Sequence, residues 1–242
     1  MSRRTTDAMA AQAPRPRIAV HDAAALVLVD DSGSEPRLLM GRRASGHVFM
    51  ADVTVFPGGR LDRGDLLLAR HFTLPESAQA RLCGATQARF SPRRAVALAL
   101  AAIREAYEET GIMLGLPGPF RAPSPAWRAF EAAGLVPAPG MLVPIARAIT
   151  PGGLPRRFDA RFFAARADLL PEEARRPAPP SDELTRVRWY DRYELAAEPL
   201  ADITQMILTT VRDRLAAGTL FDPTCPMPVL RRRAQGFHSI LV

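Results

Sequence analysis

The sequence predicts an α+β fold, with strands and a few helices packed in layers, and three observations lead there. Short apolar runs separated by turn clusters recur from Ala23 to Asp191. One long segment, Ser91 to Gly111, built on the apolar run Ala95 to Ile103, has a clear helical start and stop. The helical patterns are too few and too unevenly spaced for a regular βαβ array.

In chain order, residues 1–17 ("MSRRTTDAMAAQAPRPR") read as a polar leader. The leader lacks the apolar core of a secretion signal. Being rich in Arg and poor in acids, it leaves an organellar transit peptide open. "AAALVLV" (Ala23 to Val29) ends in the turn cluster "DDSGSEP", and "RLLMGRR" (Arg37 to Arg43) resumes in extended style, which suggests a hairpin. "HVFMADVTVFPGG" (His47 to Gly59) is a further extended segment, closing on two glycines. Ser91-Pro92 starts a helix, with a capping hydroxyl and a proline at the first helical position. That helix runs to Gly111, a natural terminator. A short helix is expected at "PAWRAFEAAG" (Pro125 to Gly134). "MLVPIARAIT" and "RFDARFFAA" read as strands joined by "PGGLP", and "TRVRWYD" (Thr185 to Asp191) as another. "ADITQMILTTVRDRLAAG" (Ala201 to Gly218) is an amphipathic helix ended by glycine. The expected organisation is one domain over 18–220, carrying an insertion at about 66–90, followed by a tail at 221–242 whose Arg231 to Arg233 run reads as a solvated end.

Composition narrows the classes. With 242 residues the chain can bury one sizeable core, and 48% hydrophobic and 24% charged residues are ordinary for a globular protein. No apolar run is long enough to span a bilayer, so no membrane partner is expected. The net charge is +7, and all 32 basic residues are Arg. Arg grips phosphate bidentately. The charge is scattered rather than gathered on one helix, which argues against nucleic acid as the partner. Two cysteines without metal-type spacing suggest a reducing compartment, and the expected location is a bacterial cytoplasm.

The chemistry sits at "REAYEETGI", Arg104 to Ile112. Glu105, Glu108 and Glu109 stand at i, i+3 and i+4 and share one helix face. An acidic face is often only solvated. Here the preceding "AVALALAAI" anchors the helix in a core, so the carboxylates gather where a buried helix emerges. That placement suits a hard cation such as Mg²⁺, which takes one or two carboxylates plus substrate phosphates.

At this point the sequence resembles the Nudix hydrolase family, whose box reads G-x5-E-x7-R-E-U-x-E-E-x-G-U with U bulky and apolar. Gly59 matches the first glycine, and Arg104, Glu105, Glu108, Glu109, Gly111 and Ile112 match the second half in spacing. Asp65 replaces the first Glu, and Ala106 is small for U. Residues 66 to 103 number 38 where the family has seven, so the box is split by an insertion of 31. The resemblance implies the Nudix fold, a mixed sheet sandwiched between helices, with the insertion inside the box. It implies Mg²⁺ or Mn²⁺ on Glu105, Glu108 and Glu109, neutralising a diphosphate for attack by water. Gly58 and Gly59 would permit close approach of backbone to helix and phosphate. Arg104 would orient a carboxylate. Which Glu is the base stays open: Glu105 and Glu109 read first as ligands, and Glu183, in "SDELTRVRW", as a base or an extra ligand.

The split resembles the subgroup of peroxisomal coenzyme A diphosphatases, as does "RRFDARFF" (Arg156 to Phe163) after Thr150-Pro151. A coenzyme A signature, L-L-T-x2-R-S-x3-R-x3-G-x3-F-P-G-G, is matched in part, by Leu38, Leu39, Arg43 and Phe56 to Gly59; Met40, Ala44, Val48 and Asp52 depart from it. Arg42, Arg43, Arg156 and Arg157 are candidates for gripping the phosphates. The substrate expected is a nucleoside diphosphate linked to another moiety, with coenzyme A or its acyl form first. Three readings stand beside it: a pyrophosphatase of ADP-ribose, NDP-sugars or dinucleotides; a catalytically silent nucleotide-binding module, which would be expected to lose carboxylates this chain keeps; and RNA-cap removal, for which no aromatic-basic motif speaks. The insertion is open to three uses: covering the site, shaping an acyl pocket, or making a homodimer contact.

Overall fold

The computed structural model describes residues 18–44, 52–84, 86, 90–179, 181–233 and 236–242. The leader expected at 1–17 and the beginning of the extended segment, at 47–51, lie outside the described residues.

The chain opens with the expected hairpin. Strand β1 (Val20–Asp30) pairs antiparallel with β2 (Arg37–Arg43), Val29 opposite Leu38. The turn is tied by Asp30, whose carboxylate accepts from Ser32 Oγ at 2.6 Å and Arg37 at 2.9 Å. Two short strands follow, β3 (Thr54–Val55) and β4 (Gly58–Arg60), the latter lying antiparallel beside β1. Then come α1 (Arg63–Leu68), α2 (Glu76–Cys83) and α3 (Pro92–Thr110). Ser91 caps α3 by accepting from the Arg94 N–H, and Gly111 ends it at φ 79°. A small pair, β5 (Gly115–Pro117) and β6 (Leu135–Pro137), brackets α4 (Arg128–Ala132). The helix expected at 125–134 is therefore a 3₁₀ turn, Pro125–Trp127, running into a short α4. Trp127 and Phe130 pack edge to face at 5.2 Å inside it. Strands β7 (Val143–Ile149) and β8 (Arg157–Arg166) pair antiparallel, and β8 runs parallel to β1 from Val20 opposite Arg157 to Val29 opposite Arg166. Next are β9 (Leu184–Tyr190), paired with β2, then α5 (Arg192–Ala196) and α6 (Asp202–Ala216).

The expected tail is not a tail. It holds β10 (Pro228–Arg233) and β11 (Gly236–Leu241), and β10 lies parallel to β7 with Val229 opposite Arg147. Met227, Val229 and Leu230 are buried, which is what holds the segment to the sheet. The Arg231 to Arg233 run is thus strand, with Arg231 and Arg232 exposed on it. Among the described residues the main sheet runs β11-β10-β7-β8-β1-β2-β3, with β4 beside β1 and β9 beside β2.

The sheet is covered on both faces, and the strand period sorts the residues. Leu26 and Leu28 of β1 face α3, together with Leu39 and Phe163. Val27 and Val29 face α6, together with Met40, Ile145 and Ile207. Helix α3 is buried on all sides: every residue from Ala95 to Ile103 is at most 3% exposed. Its five alanines in that span let backbone approach sheet closely. Its outer side is covered by the insertion, through Leu68, Ala69, Leu74, Ala78 and Leu82. The insertion is therefore part of the core. Truncating one of these leucines to alanine would cost about 2–5 kcal/mol.

Candidate active site

Three segments meet at the C-terminal half of α3. The first is the glycine pair on β4. Gly58 lies so close to β1 that a Cβ would meet the Ala24 carbonyl oxygen at 2.5 Å and Ala25 Cα at 2.6 Å. A Cβ on Gly59 would land on the carboxylate of Glu105. The glycines exist for this contact: backbone and carboxylate occupy the space a side chain needs. The Gly58 N–H then donates to Glu109 Oε2 at 2.7 Å.

The second segment is α1. Asp62 and Asp65 form a reciprocal cap, with Asp62 N–H donating to Asp65 Oδ2 at 2.9 Å. Asp65 is fully buried and accepts from both Nε and Nη2 of Arg104, each at 3.0 Å. Arg104 also donates through Nη1 to Glu105 Oε1 and Glu108 Oε2, both at 2.9 Å, and through Nη2 to the Arg60 carbonyl at 2.9 Å. One guanidinium thus links both halves of the split box. The sequence gives no hint of how strongly Asp65 holds it, because the two residues lie 39 positions apart.

The third segment precedes β9. The Ala178 N–H donates to the Thr110 carbonyl at 2.9 Å, and Ser181 Oγ to the Glu108 carbonyl at 2.8 Å. Ala178 sits against Gly111, where any Cβ would collide with it. This docking brings Glu183, an exposed residue, near enough to act electrostatically on Glu108 and Glu109. Arg43, opposite Leu184 across the β2–β9 pair, acts on Glu109 with the opposite sign.

The carboxylates grade from closed to open: Glu109 is 2% exposed, and the side chains of Glu105 and Glu108 are 13% and 37% exposed. Burial pushes Glu109 up to about 8, against the Gly58 N–H and with help from Glu105. Burial likewise pushes Glu105 up to about 7, the Arg104 charge opposing and Glu108 adding to the rise. Glu108 and Asp65 are raised too, burial being the leading cause in each. Burial would lower Arg104, but its bond to Asp65 and the charges around it hold its pKa above the ordinary value. The cluster is short of positive charge.

Among the described residues no three His, Cys, Asp or Glu side chains converge into a ready cation cage. The donor set nevertheless fits a hard divalent ion. Mg²⁺ requires only one or two carboxylates. Glu105 and Glu108 meet Arg104 through one oxygen each, and Glu109 meets Gly58 through one.

Arg157 is not brought here. It donates to the carbonyls of Thr150, Pro151 and Ile18, at the far end of β8. The reason is topological: β8 runs parallel to β1, so Arg157 sits opposite Val20, while the glycines sit opposite Ala24 and Ala25. The sequence reading also missed the Asp65–Arg104 clamp and the role of Ala178 to Ser181. The alternation Arg157, Asp159, Arg161 along one strand face was the available signal for a second charged surface.

This fold is that of the Nudix hydrolases, and the likeness to them supports a hydrolase acting on diphosphate bonds. A Nudix hydrolase from Alicyclobacillus acidocaldarius is similar at 27% identity and a TM-score of 0.63, with 84% of this chain and 97% of that one covered. A MutT/nudix family protein from Enterococcus faecalis shares the fold at 14% identity and a TM-score of 0.50, covering 88% of this chain and 68% of that one. No family model matches the chain, and no curated protein does. Among the described residues no helix is long and apolar enough to cross a membrane.

Proposed function

We propose that the protein hydrolyses the diphosphate of a nucleoside diphosphate linked to another moiety, with coenzyme A or acyl-coenzyme A as substrate and Mg²⁺ or Mn²⁺ as cofactor. The observation that carries this is the gathering of three carboxylates at the glycine pair: Glu109 on the Gly58 N–H, Glu105 against Gly59, and Glu105 and Glu108 both held by Arg104. A divalent ion held there supplies charge neutralisation and a Lewis acid for the phosphoryl group.

The residues do the rest. Arg104, held by Asp65, fixes the directions of Glu105 and Glu108. Gly58 fixes Glu109. Glu183, exposed and near the set, takes the proton as water attacks phosphorus. The bond to the bridging oxygen breaks, and the phosphate monoester on the other side leaves with that oxygen. Arg43 neutralises substrate charge beside Glu109. The choice of coenzyme A is supported by the split box, by the "RRFDARFF" segment and by the partial register at "LLMGRRA". The products are then 3′,5′-ADP and 4′-phosphopantetheine or its acylated form.

The test is mass spectrometry of products from coenzyme A, acyl-coenzyme A, ADP-ribose and NADH, in ¹⁸O-water with Mg²⁺ or Mn²⁺. Label is expected on a phosphate, with the thioester intact. Label in a released fatty acid would refute attack at phosphorus. ADP-ribose turned over far faster than coenzyme A would replace the substrate.

A further inference from the structure

On the α3 face of the sheet, around the beginning of that helix, lies a cavity of about 750 Å³. Arg94, Arg147, Arg157, Arg161, Arg231 and Arg232 line it, against two carboxylates, Asp22 and Asp159. The lining residues therefore carry a surplus of four positive charges.

The two carboxylates are already engaged. Asp159 accepts from Arg147 through both oxygens at 2.7 Å and lies 3.0 Å from Arg161. Asp22 pairs with Arg161 at 3.0 Å and with Arg94. Arg157 meets only carbonyl oxygens among the described residues, and Arg231 stands exposed on β10 opposite Ile149. Arg161 is 1% exposed, stacks on the Phe90 ring at 4.6 Å, and its buried Nε has no hydrogen-bond partner among the described residues. Like charges on a concave wall repel and raise the local potential. A buried N–H of a cation left without an acceptor is destabilising. An incoming anion relieves both, and guanidinium groups accept phosphate in paired, planar fashion. None of the box carboxylates lines this cavity. Arg94 and Glu105, eleven positions apart on α3, are separated by roughly 16 Å of helix rise.

We propose that this cavity is a second site, distinct from the carboxylate turn, that binds a small molecule bearing phosphate. Two sources share that chemistry: a phosphate on the substrate itself, remote from the bond cleaved, or a separate phosphorylated compound acting as an effector.

The test is calorimetric titration of the full chain in EDTA, where no turnover occurs, with adenosine 3′,5′-bisphosphate and with inorganic pyrophosphate. Saturable one-to-one binding is expected for at least one of them. Arg231→Gln should weaken it at least threefold, and Arg157→Gln with Arg231→Gln at least tenfold. Arg231→Gln changes an exposed side chain, so its result stands even if the double variant folds poorly. No saturable binding by the wild type, or equal affinity in wild type and Arg231→Gln, overturns the proposal. Kinetics then separate the sources. A KM raised for coenzyme A but not for dephospho-coenzyme A assigns the cavity to substrate. KM values unaltered for both, with anion binding weakened as stated, assign it to an effector. Failure to hydrolyse coenzyme A would remove the substrate proposed above while leaving the titration in EDTA untouched.

Discussion

Gly58 and Gly59 are neighbours of identical chemistry, yet the structure separates them. In Gly59→Ala the atoms nearest the new methyl all belong to the carboxylate end of Glu105, a flexible side chain. Glu105 can swing aside, losing its 2.9 Å bond to Arg104. The movement of Glu105 relieves the overpacking, so the cost is that of the lost charge-assisted bond, about 1.5 kcal/mol, or about 3–6 °C in melting temperature for a domain of this size. The displaced carboxylate moves by an ångström or more, which costs catalysis about a hundredfold. In Gly58→Ala the methyl meets backbone, the Ala24 carbonyl and Ala25 Cα, and strands β1 and β4 must part. That cost is about 3 kcal/mol, or about 6–12 °C. The assay is paired: thermal melts of both variants in EDTA, and kcat at saturating Mg²⁺ well below either melting point. Gly59→Ala should lose far more activity than stability, and Gly58→Ala should melt markedly lower than Gly59→Ala. Activity of Gly59→Ala within twofold of wild type, or indistinguishable melts for the two, would refute the assignment of one glycine to the carboxylate and the other to the sheet.

Glu109→Gln should keep the fold and lower turnover about a hundredfold or more, on the order of 3 kcal/mol of transition-state stabilisation; unchanged turnover would end the metal assignment. Asp65→Asn leaves Arg104 buried without its bidentate partner and should cost about 3–5 kcal/mol, measured by urea unfolding. A loss under 1 kcal/mol would mean that Glu105 and Glu108 suffice to hold Arg104. For pH, the folded values of about 7 for Glu105 and about 8 for Glu109 lie above the ordinary 4.5. Their contribution to stability is then fully present below about pH 4.5 and is lost as pH rises through about 8. Protein in EDTA should therefore melt lower at pH 8.5 than at pH 6, and a Glu105→Gln, Glu109→Gln variant should show a smaller drop; an equal drop in both would assign the pH effect elsewhere. Mg²⁺ should reduce the drop in the wild type, because binding favours the ionised carboxylates.

Local signals carried much of this architecture. Ser91-Pro92 and Gly111 bounded α3 because capping and φ > 0 are properties of single residues. The β1–β2 hairpin followed from two apolar runs around a turn cluster. The carboxylate set was visible because helical spacing alone puts Glu105, Glu108 and Glu109 on one face. What escaped was what depends on partners distant in sequence. Residues 228–233 have no strong period of their own and become strand because β7 offers an edge to pair with. The place of Arg157 depended on β8 running parallel to β1, which no local pattern dictates. Asp65 could be aligned with a box position, but its grip on Arg104 is a tertiary fact.

The interruption between Asp65 and Arg104 can also be read as polymer physics. Closing a flexible loop costs about 0.6 kcal/mol for each doubling of its length, so stretching an eight-residue separation to 39 costs about 1.4 kcal/mol. That is less than a single leucine packed beneath α1 and α2 returns, about 1.5–3 kcal/mol on burial. A chain can therefore cut such a motif in two, fill the gap with helices packed against α3, and keep the bidentate clamp. A pattern that counts residues between Asp65 and Arg104 does not cross such a gap, whereas a guanidinium that spans it in space does not register the distance at all.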